Sequence, residues 1–284
     1  MIAIIHAIIL GIVEGFTEFL PVSSTGHLII AEHALGFKDL AELFTVVIQI
    51  GSVSAVIWYY RLDIINRIKT LFKREEGSSK FWINLIIATI PAGLFGVALD
   101  KTLQKYAVPK TVAIMLILGG IVLWLVETYH HQNRYDRSRA RLQNDERMHK
   151  TRLDEITTKQ ALGVGMAQVF SLVPGVSRSG ATIVGGLLSG LDRVTATAFS
   201  FYLSMPVMIL ATLYKVGKNH AQINQLPGGK AALIVGVITA FITGLMAVSW
   251  LLQYISKHDF KKFAYYRICF GIFILILLGL GFLK

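Results

Sequence analysis

Cysteine is almost absent from this chain, because Cys269 is the only one among 284 residues. A single cysteine cannot form an intrachain disulfide, and it leaves no cysteine cluster that could bind a metal. Cys269 lies inside the last apolar run, so we expect it to pack in the protein core. The sequence therefore excludes disulfide stabilisation and a cysteine-based metal site.

Acidic residues are also scarce, at 17 against 28 Lys and Arg, which gives a formal net charge of +11. In a soluble protein this excess would suggest a nucleic-acid partner. Here the basic residues lie between apolar runs, above all at 61–80 and 129–159. Basic loops of this kind set the orientation of membrane proteins and attract anionic lipid. We therefore expect membrane lipids and no nucleic acid as partners, with both loops on the cytoplasmic side.

Polar stretches are otherwise few, and 54% of the residues are hydrophobic. A helix needs about 20 apolar residues to cross a bilayer. Four clear candidates are the runs at 83–99, 111–126, 231–252 and 263–283. No cleavable signal peptide is expected, because the first apolar run lacks a basic region and carries Glu14 and Glu18. These features predict an all-α integral membrane protein with several crossings.

The two halves of the chain resemble each other. Residues 11–26 align without gaps on residues 165–180, so that Glu14 meets Gln168 and Ser23 meets Ser177. A series of matches in the same order predicts an internal repeat. The single membrane domain would have three parts: a first repeat at 1–128, a polar linker loop or short polar helix at 129–157, and a second repeat at 158–284.

Each half begins with interrupted apolar segments, at 2–35 and at 158–188. If both basic loops are cytoplasmic, counting the crossings gives the two halves opposite orientations. We therefore predict six transmembrane helices plus two re-entrant helix hairpins in inverted-topology repeats. Interrupted helices at matching places in such repeats indicate a binding site near the membrane midplane.

Ionisable residues inside membrane segments are rare and usually functional. Glu14 and Glu18 are four residues apart, so they share one helix face. The pair could brace neighbouring helices, or it could hold a divalent cation such as Mg²⁺ or Ca²⁺, which prefer oxygen ligands. Both interpretations stay open from the sequence alone.

The segment at 21–27 interrupts the first hairpin and begins its second helix. Ser23, Ser24 and Thr25 can cap that helix, and the backbone N–H groups at a helix start favour an anion. Ser24 and His27 are three residues apart, and a hydroxyl beside an imidazole is a candidate nucleophile. Capping alone explains the hydroxyls but leaves His27 without a role.

The matching segment at 174–182 offers the hydroxyls of Ser177, Ser179 and Thr182 and the guanidinium of Arg178. An arginine is unfavourable in a bilayer without a partner, and it binds phosphate through two donors better than lysine does. A purely structural ion pair with a carboxylate of the first half is the competing interpretation. If the hairpins meet, these groups converge on one point.

Taken together, the three motifs resemble the undecaprenyl-pyrophosphate phosphatase family of bacteria, the bacitracin-resistance type. The resemblance rests on Glu14-x-x-x-Glu18 and on the segments at 21–27 and 174–182, and it covers essentially the whole chain. It implies a multi-pass enzyme of the bacterial inner (plasma) membrane that removes the terminal phosphate of undecaprenyl diphosphate. The released monophosphate carrier serves peptidoglycan and other envelope polymers. Bacitracin sequesters the diphosphate, so excess enzyme confers resistance.

The resemblance and the residue chemistry together give each residue an expected role. The catalytic residues would be Glu18, Ser24, His27 and Arg178. Phosphate binding is expected from hydroxyls at the two breaks, namely Ser23, Thr25, Ser177, Ser179 and Thr182. A divalent cation would bind Glu14 and Glu18, and no organic cofactor is expected.

Two mechanisms fit these roles. Ser24 would attack the phosphate with help from His27, or a water activated by Glu18 would attack while Ser24 only binds phosphate. Two other classes of function also compete with the enzyme. A lipid flippase or transporter shares the predicted architecture but does not require Ser24, His27 and Glu18 together. A structural scaffold would not need charged groups at the helix breaks. Whether the chain forms a homodimer stays open.

Overall fold

The computed structural model describes residues 1–39, 42–75, 77–138 and 152–283, and over these residues it contains helices and no strand. The helices in chain order are α1 (Ile2–Glu18), α2 (Ser24–Leu35), α3 (Leu43–Tyr59), α4 (Arg61–Phe72), α5 (Ser78–Lys105), α6 (Pro109–Ser138), α7 (Thr158–Phe170), α8 (Arg178–Leu188), α9 (Arg193–Asn219), α10 (Gly229–Ile255) and α11 (Lys261–Gly279). A 3₁₀ segment, His220–Gln225, joins α9 to α10.

Five of the helices, α5, α6, α9, α10 and α11, are long and apolar enough to cross a membrane. The count becomes six if α3 and α4, which meet at an angle of 69°, are treated as one broken span. The helices α1, α2, α7 and α8 are shorter, with 17, 12, 13 and 11 residues. The prediction of an all-helical protein with several membrane crossings is therefore confirmed.

The basic segment at 61–80 differs from the predicted loop, because α4 occupies most of it. Its apolar residues recur at helical spacing, and Leu62 and Ile65 are exposed. A helix with an apolar stripe and basic neighbours is typical of a membrane interface. This pattern explains why the chain stays helical beyond the end of α3.

Part of the predicted polar linker at 129–157 is also helical. Helix α6 continues to Ser138, and residues 152–155 form a single helical turn. Residues 139–151 lie outside the described part of the chain. The end of the linker that leads into α7 is held against α4, because Arg67 of α4 forms an ion pair with Asp154.

Glycines let the short helices approach the long ones closely. A Cβ added to Gly11 of α1 would lie 2.6 Å from the backbone oxygen of Gly236 in α10. A Cβ added to Gly165 of α7 would lie 2.6 Å from the backbone oxygen of Ala88 in α5. Small residues permit this kind of contact between membrane helices. Gly11 and Gly165 are equivalent in the alignment of the two halves, so the same packing device occurs twice.

Ion pairs mark the two ends of the bundle. At one end Arg193, the first residue of α9, lies 2.7 Å from Glu127 of α6. At the other end Lys218 of α9 lies 2.7 Å from Asp100 of α5. We call these the Arg193 end and the Lys218 end. Helix α5 therefore runs from the Arg193 end to the Lys218 end.

The prediction that Cys269 packs in the core is wrong, because its side chain is exposed. Its neighbour Arg267 is only 1% exposed and faces the interior. Positions two residues apart in an α-helix point roughly 200° apart. With Arg267 turned inward, Cys269 is carried to the outer face of α11.

Candidate active site

The two helix breaks meet inside the bundle. Helix α1 ends at Glu18 and α2 begins at Ser24, whereas α7 ends at Phe170 and α8 begins at Arg178. The hydroxyl of Ser179 in the second break donates to the backbone oxygen of Leu20 in the first, at 2.9 Å. The side chains that the sequence places at the two breaks therefore come together.

The residue directly before α2 and the residue directly before α8 have an unusual backbone. Ser23 has φ 69° and ψ 97°, and Ser177 has φ 72° and ψ 118°. Positive φ is rare for residues other than glycine, and such strain concentrates at functional sites. The Ser177 hydroxyl caps α8 by accepting from the Gly180 N–H at 3.1 Å. The buried Ser23 hydroxyl has no hydrogen-bond partner in the part of the chain that the structure describes.

Glu18 lies between a hydroxyl and a guanidinium. Its Oε2 accepts a hydrogen bond from the Ser24 hydroxyl. Its Oε1 lies 3.2 Å from Nη2 and 3.4 Å from Nε of Arg178. The third guanidinium nitrogen, Nη1, donates to the backbone oxygen of Ser200 at 3.3 Å. A hydroxyl held on a carboxylate that is itself fixed by an arginine is the arrangement of a nucleophile and its base.

His27 does not join this group. Its Nδ1 lies 2.8 Å from the backbone oxygen of Ser23, and its Nε2 lies 2.6 Å from the hydroxyl of Tyr266. The ring also stacks on Phe270, with centroids 4.3 Å apart. The imidazole thus turns toward α11, and both nitrogens are engaged away from Ser24. The expected pairing of Ser24 with His27 is replaced by a pairing with Glu18.

Two of the expected phosphate ligands point elsewhere. Ser179 bonds to the first break, and the Thr182 hydroxyl lies 2.6 Å from the hydroxyl of Ser200. Both side chains are fully buried, and neither lines the cavity described next. In this structure they brace the segment that carries Arg178.

A cavity of about 400 Å³ opens beside the two breaks. Its polar end is lined by site residues of both breaks, namely Glu18, Ser23, Ser24, Thr25, Ser177 and Arg178. Its walls are apolar and come mainly from α5 and α9, with Ala92, Gly93, Val97, Val207 and Met208 among the lining residues. The cavity extends toward the Lys218 end, where Glu42, Asp100 and Lys215 line it. This shape suits a ligand with an anionic head and an apolar tail.

Like the Ser23 hydroxyl, polar atoms of Glu14 and Gln168 are buried without a partner. Oε2 of Glu14 and both amide atoms of Gln168 make no hydrogen bond among the described residues. The other oxygen of Glu14, Oε1, lies 3.4 Å from the Ser52 hydroxyl, which donates to it. The described residues contain no group of three or more His, Cys, Asp or Glu that could hold a metal ion. Carboxylate and amide oxygens such as these are the ligands that hard cations prefer.

Arg267 is the main site residue that the sequence analysis missed. Its guanidinium contacts the backbone of both breaks, 2.8 Å from the Val176 oxygen and 3.4 Å from the Pro21 oxygen. In the sequence, Arg267 lies inside the last apolar run, at 263–283. The signal that could have found it is a lone arginine within a membrane span, which is usually functional.

Comparison with known proteins identifies relatives over almost the whole chain. The family described as bacitracin resistance protein BacA matches residues 7–273. An undecaprenyl-diphosphatase of Dechloromonas aromatica is 43% identical over 285 residues, which cover 100% of this chain and 97% of that protein. An undecaprenyl-diphosphatase of Nitrosomonas europaea is 45% identical over 275 residues, which cover 96% of this chain and 94% of that protein.

Proposed function

Because the chain belongs to the bacitracin resistance protein BacA family, we propose that it hydrolyses undecaprenyl diphosphate to undecaprenyl phosphate and inorganic phosphate. Its relatives are named for acting on this lipid. The observation that carries the proposal is Glu18, held between the Ser24 hydroxyl and Arg178 at the polar end of an apolar cavity. The polar end suits a diphosphate, and the apolar walls suit a prenyl chain.

In the proposed reaction, the Ser24 oxygen attacks the terminal phosphorus and its proton passes to Glu18. The bond from that phosphorus to the bridging oxygen breaks, and undecaprenyl phosphate leaves. Water then attacks the phosphoserine, inorganic phosphate is released, and the Ser24 hydroxyl is restored. The leaving group is itself a phosphate, so neutralising and positioning charge is more important than strong acid catalysis. The hydrogen bond from Ser24 to Glu18 supports this assignment.

Arg178 has the proposed role of neutralising the phosphate oxygens. A guanidinium binds phosphate through two donors, and preorganised donors stabilise the charge of the transition state. The backbone N–H groups at the starts of α2 and α8 add to this effect. Ser23, Thr25 and Ser177 line the polar end of the cavity and are the proposed hydroxyl ligands of the phosphates.

A divalent cation, Mg²⁺ or Ca²⁺, is also part of the proposal. Glu14 and Gln168 would hold it, because their unpaired side-chain oxygens are the available donors. Glu18 could join it through Oε2, which accepts a hydrogen bond from Ser24 and keeps a second lone pair for a cation. The cation would supply further positive charge to the diphosphate.

For the architecture, we propose six crossings, with α3 and α4 counted as one, and two re-entrant hairpins in inverted repeats at 1–128 and 158–284. Two contacts support it. A Cβ on Gly228, just before α10, would lie 2.9 Å from the Cβ of Ala3, and α10 follows the Lys218 end of α9. Asn84, near the start of α5 at the Arg193 end, donates to the backbone oxygen of Ile156 at 2.7 Å. Helices α1 and α7 thus begin at opposite ends of the bundle.

In the cell we propose the bacterial inner membrane as the location, because the substrate is a membrane lipid carrier. The deciding experiment measures phosphate release from undecaprenyl diphosphate by the detergent-purified protein, with and without a chelator. Stoichiometric release that Arg178→Ala abolishes is the expected result. Binding of the lipid with no release would favour a flippase or transporter instead.

A further inference from the structure

Arg267 is a buried cation whose hydrogen-bond acceptors are all backbone oxygens. Nη2 donates to Val176 at 2.8 Å and to Gly175 at 3.2 Å, and Nη1 donates to Pro21 at 3.4 Å. Two longer bonds, each 3.4 Å, go to the backbone oxygens of Met115 and Leu116 in α6. Among the described residues no carboxylate lies within ion-pair distance of Arg267. A charge held in this way inside a membrane protein is unfavourable, and such residues usually serve the function.

The surrounding helices leave room for this guanidinium. A Cβ added to Gly119 of α6 would lie 2.1 Å from Nη2 of Arg267. A Cβ added to Gly180 of α8 would lie 2.7 Å from Nη1. Real Cβ atoms do not approach other atoms this closely, so a side chain at either position would displace the guanidinium. The space is therefore shaped for Arg267.

Three of the acceptors, the backbone oxygens of Pro21, Gly175 and Val176, belong to the two segments where the chain leaves the helix. Backbone oxygens in such segments have no helical N–H partner, so another donor must satisfy them where they are buried. Pro21 lies two residues before Ser23, and Val176 lies directly before Ser177. Ser23 and Ser177 are the residues with positive φ that directly precede α2 and α8. Such strain persists only when the surroundings hold it in place.

We propose that Arg267 is a positioning residue that ties the two helix breaks together and so sets the distance between Ser24 and Arg178. It does not line the cavity, so it acts through the backbone rather than on the substrate. The proposal rests on the proposed function, because the geometry it fixes is that of phosphate cleavage. A misplacement of about 1 Å can lower turnover roughly 100-fold.

The first test measures turnover of Arg267→Gln and Arg267→Lys in detergent. We expect kcat to fall about 10- to 100-fold while KM changes less than about twofold, because the substrate-contacting groups are still present. The Arg267→Lys variant should regain little activity, since one ammonium group cannot reach both breaks as the guanidinium does. Normal kcat in Arg267→Gln would overturn the proposal.

A second test uses Gly119→Ala, which leaves Arg267 and every cavity residue unchanged. Alone, it should lower kcat about as much as Arg267→Gln, because the new methyl group displaces the guanidinium. Added to Arg267→Gln it should have no further effect, since the two substitutions act through one contact. Gly279→Ala on α11 is the matched control, because a Cβ there meets nothing within 4 Å. Additive losses for Gly119→Ala and Arg267→Gln would contradict the proposal.

A third measurement does not depend on activity, so it separates this inference from the proposed function. Hydrogen exchange of the wild-type protein and Arg267→Gln is compared by mass spectrometry in detergent. We expect faster exchange in peptides covering both 22–25 and 176–180, with exchange in α5 and α10 unchanged. Faster exchange in only one break, or across the whole protein, would overturn the bridging role. Failure of the wild-type protein to cleave the lipid would instead count against the proposed function.

Discussion

Ser23 and Ser177 share a left-handed backbone conformation, with φ of 69° and 72°, although they lie 154 positions apart in the chain. Each is the residue directly before the helix that follows a break, α2 or α8. Their side chains differ, because only the Ser177 hydroxyl caps its helix. The same bend therefore leaves one hydroxyl structurally engaged and the other unpaired.

Both serines are proposed phosphate ligands, but this difference should distinguish them by their effect on stability. Ser177→Ala should lower the free energy of unfolding by about 1 kcal/mol, because it removes a helix cap. Ser23→Ala removes no cap, so it should leave stability nearly unchanged while it weakens substrate binding. Thermal unfolding in detergent and the KM for undecaprenyl diphosphate measure the two effects. Equal stability losses in both variants would show that the Ser23 hydroxyl is engaged in the folded protein.

Replacing Arg178 should lower turnover far more than replacing an arginine that only stabilises the fold. Arg178→Ala should lower kcat by about 100- to 1,000-fold, the usual effect of losing one donor to the transition state. Arg178→Lys should recover only part, because a lysine cannot contact Glu18 and the Ser200 backbone with the same fork. The matched control is Arg193→Ala, which breaks an ion pair with Glu127 outside the cavity. We expect this control to lose stability and keep most of its turnover.

Much of the site was predictable from the sequence because the two helix breaks carry matching residues. Aligning the halves places the segment with Ser24 against the segment with Arg178, and interrupted apolar segments at matching places indicate a shared site. The side-chain partners were not predictable in this way. Sequence spacing puts His27 one turn from Ser24, but the imidazole ring instead hydrogen-bonds to Tyr266 on α11. Such a choice depends on packing between distant helices.

The short and long helices were predictable to different degrees. Length and apolar content indicate the spans of α5, α6, α10 and α11. The same criterion hides Arg267, since one charge hardly changes the hydropathy of a long run. It also hides the 69° bend between α3 and α4, because local composition says nothing about the angle at which two helices meet.

The unpaired oxygens of Glu14 and Gln168 lead to a prediction about how much divalent ion the activity requires. Gln168→Leu and Glu14→Gln should each raise the Mg²⁺ or Ca²⁺ concentration needed for half-maximal activity, because each alters an oxygen donor. Phosphate release is titrated with each ion after treatment with chelator. Glu155→Gln, an exposed carboxylate on the linker side, should leave the ion requirement unchanged. Lower activity with an unchanged ion requirement would remove Glu14 and Gln168 from a cation site.

The apolar wall of the cavity should select for the prenyl chain. A Cβ on Gly93 meets no atom within 4 Å, and Gly93 lines the cavity. Gly93→Leu should therefore fill part of the cavity without disturbing the fold. Its KM should rise for undecaprenyl diphosphate and change little for a short prenyl diphosphate. An equal rise for both substrates would indicate that the wall does not contact the chain.

The contact between Ser24 and Glu18 distinguishes covalent catalysis from direct attack by water. If Ser24 is the nucleophile, a phosphoserine must form, and Glu18 must accept the hydroxyl proton. Rapid quenching with terminally labelled undecaprenyl diphosphate should then place the label on the peptide that contains Ser24.

Two substitutions make this test specific. Glu18→Gln removes the proton acceptor and should abolish labelling under single-turnover conditions. His27→Gln should still be labelled, because neither imidazole nitrogen contacts Ser24. Attack by water predicts a different set of results, in which Ser24→Ala keeps measurable turnover with weaker binding and no labelled peptide forms. If His27→Gln alone lost the label, the base would be His27, and the bond from Ser24 to Glu18 would serve only to orient the hydroxyl.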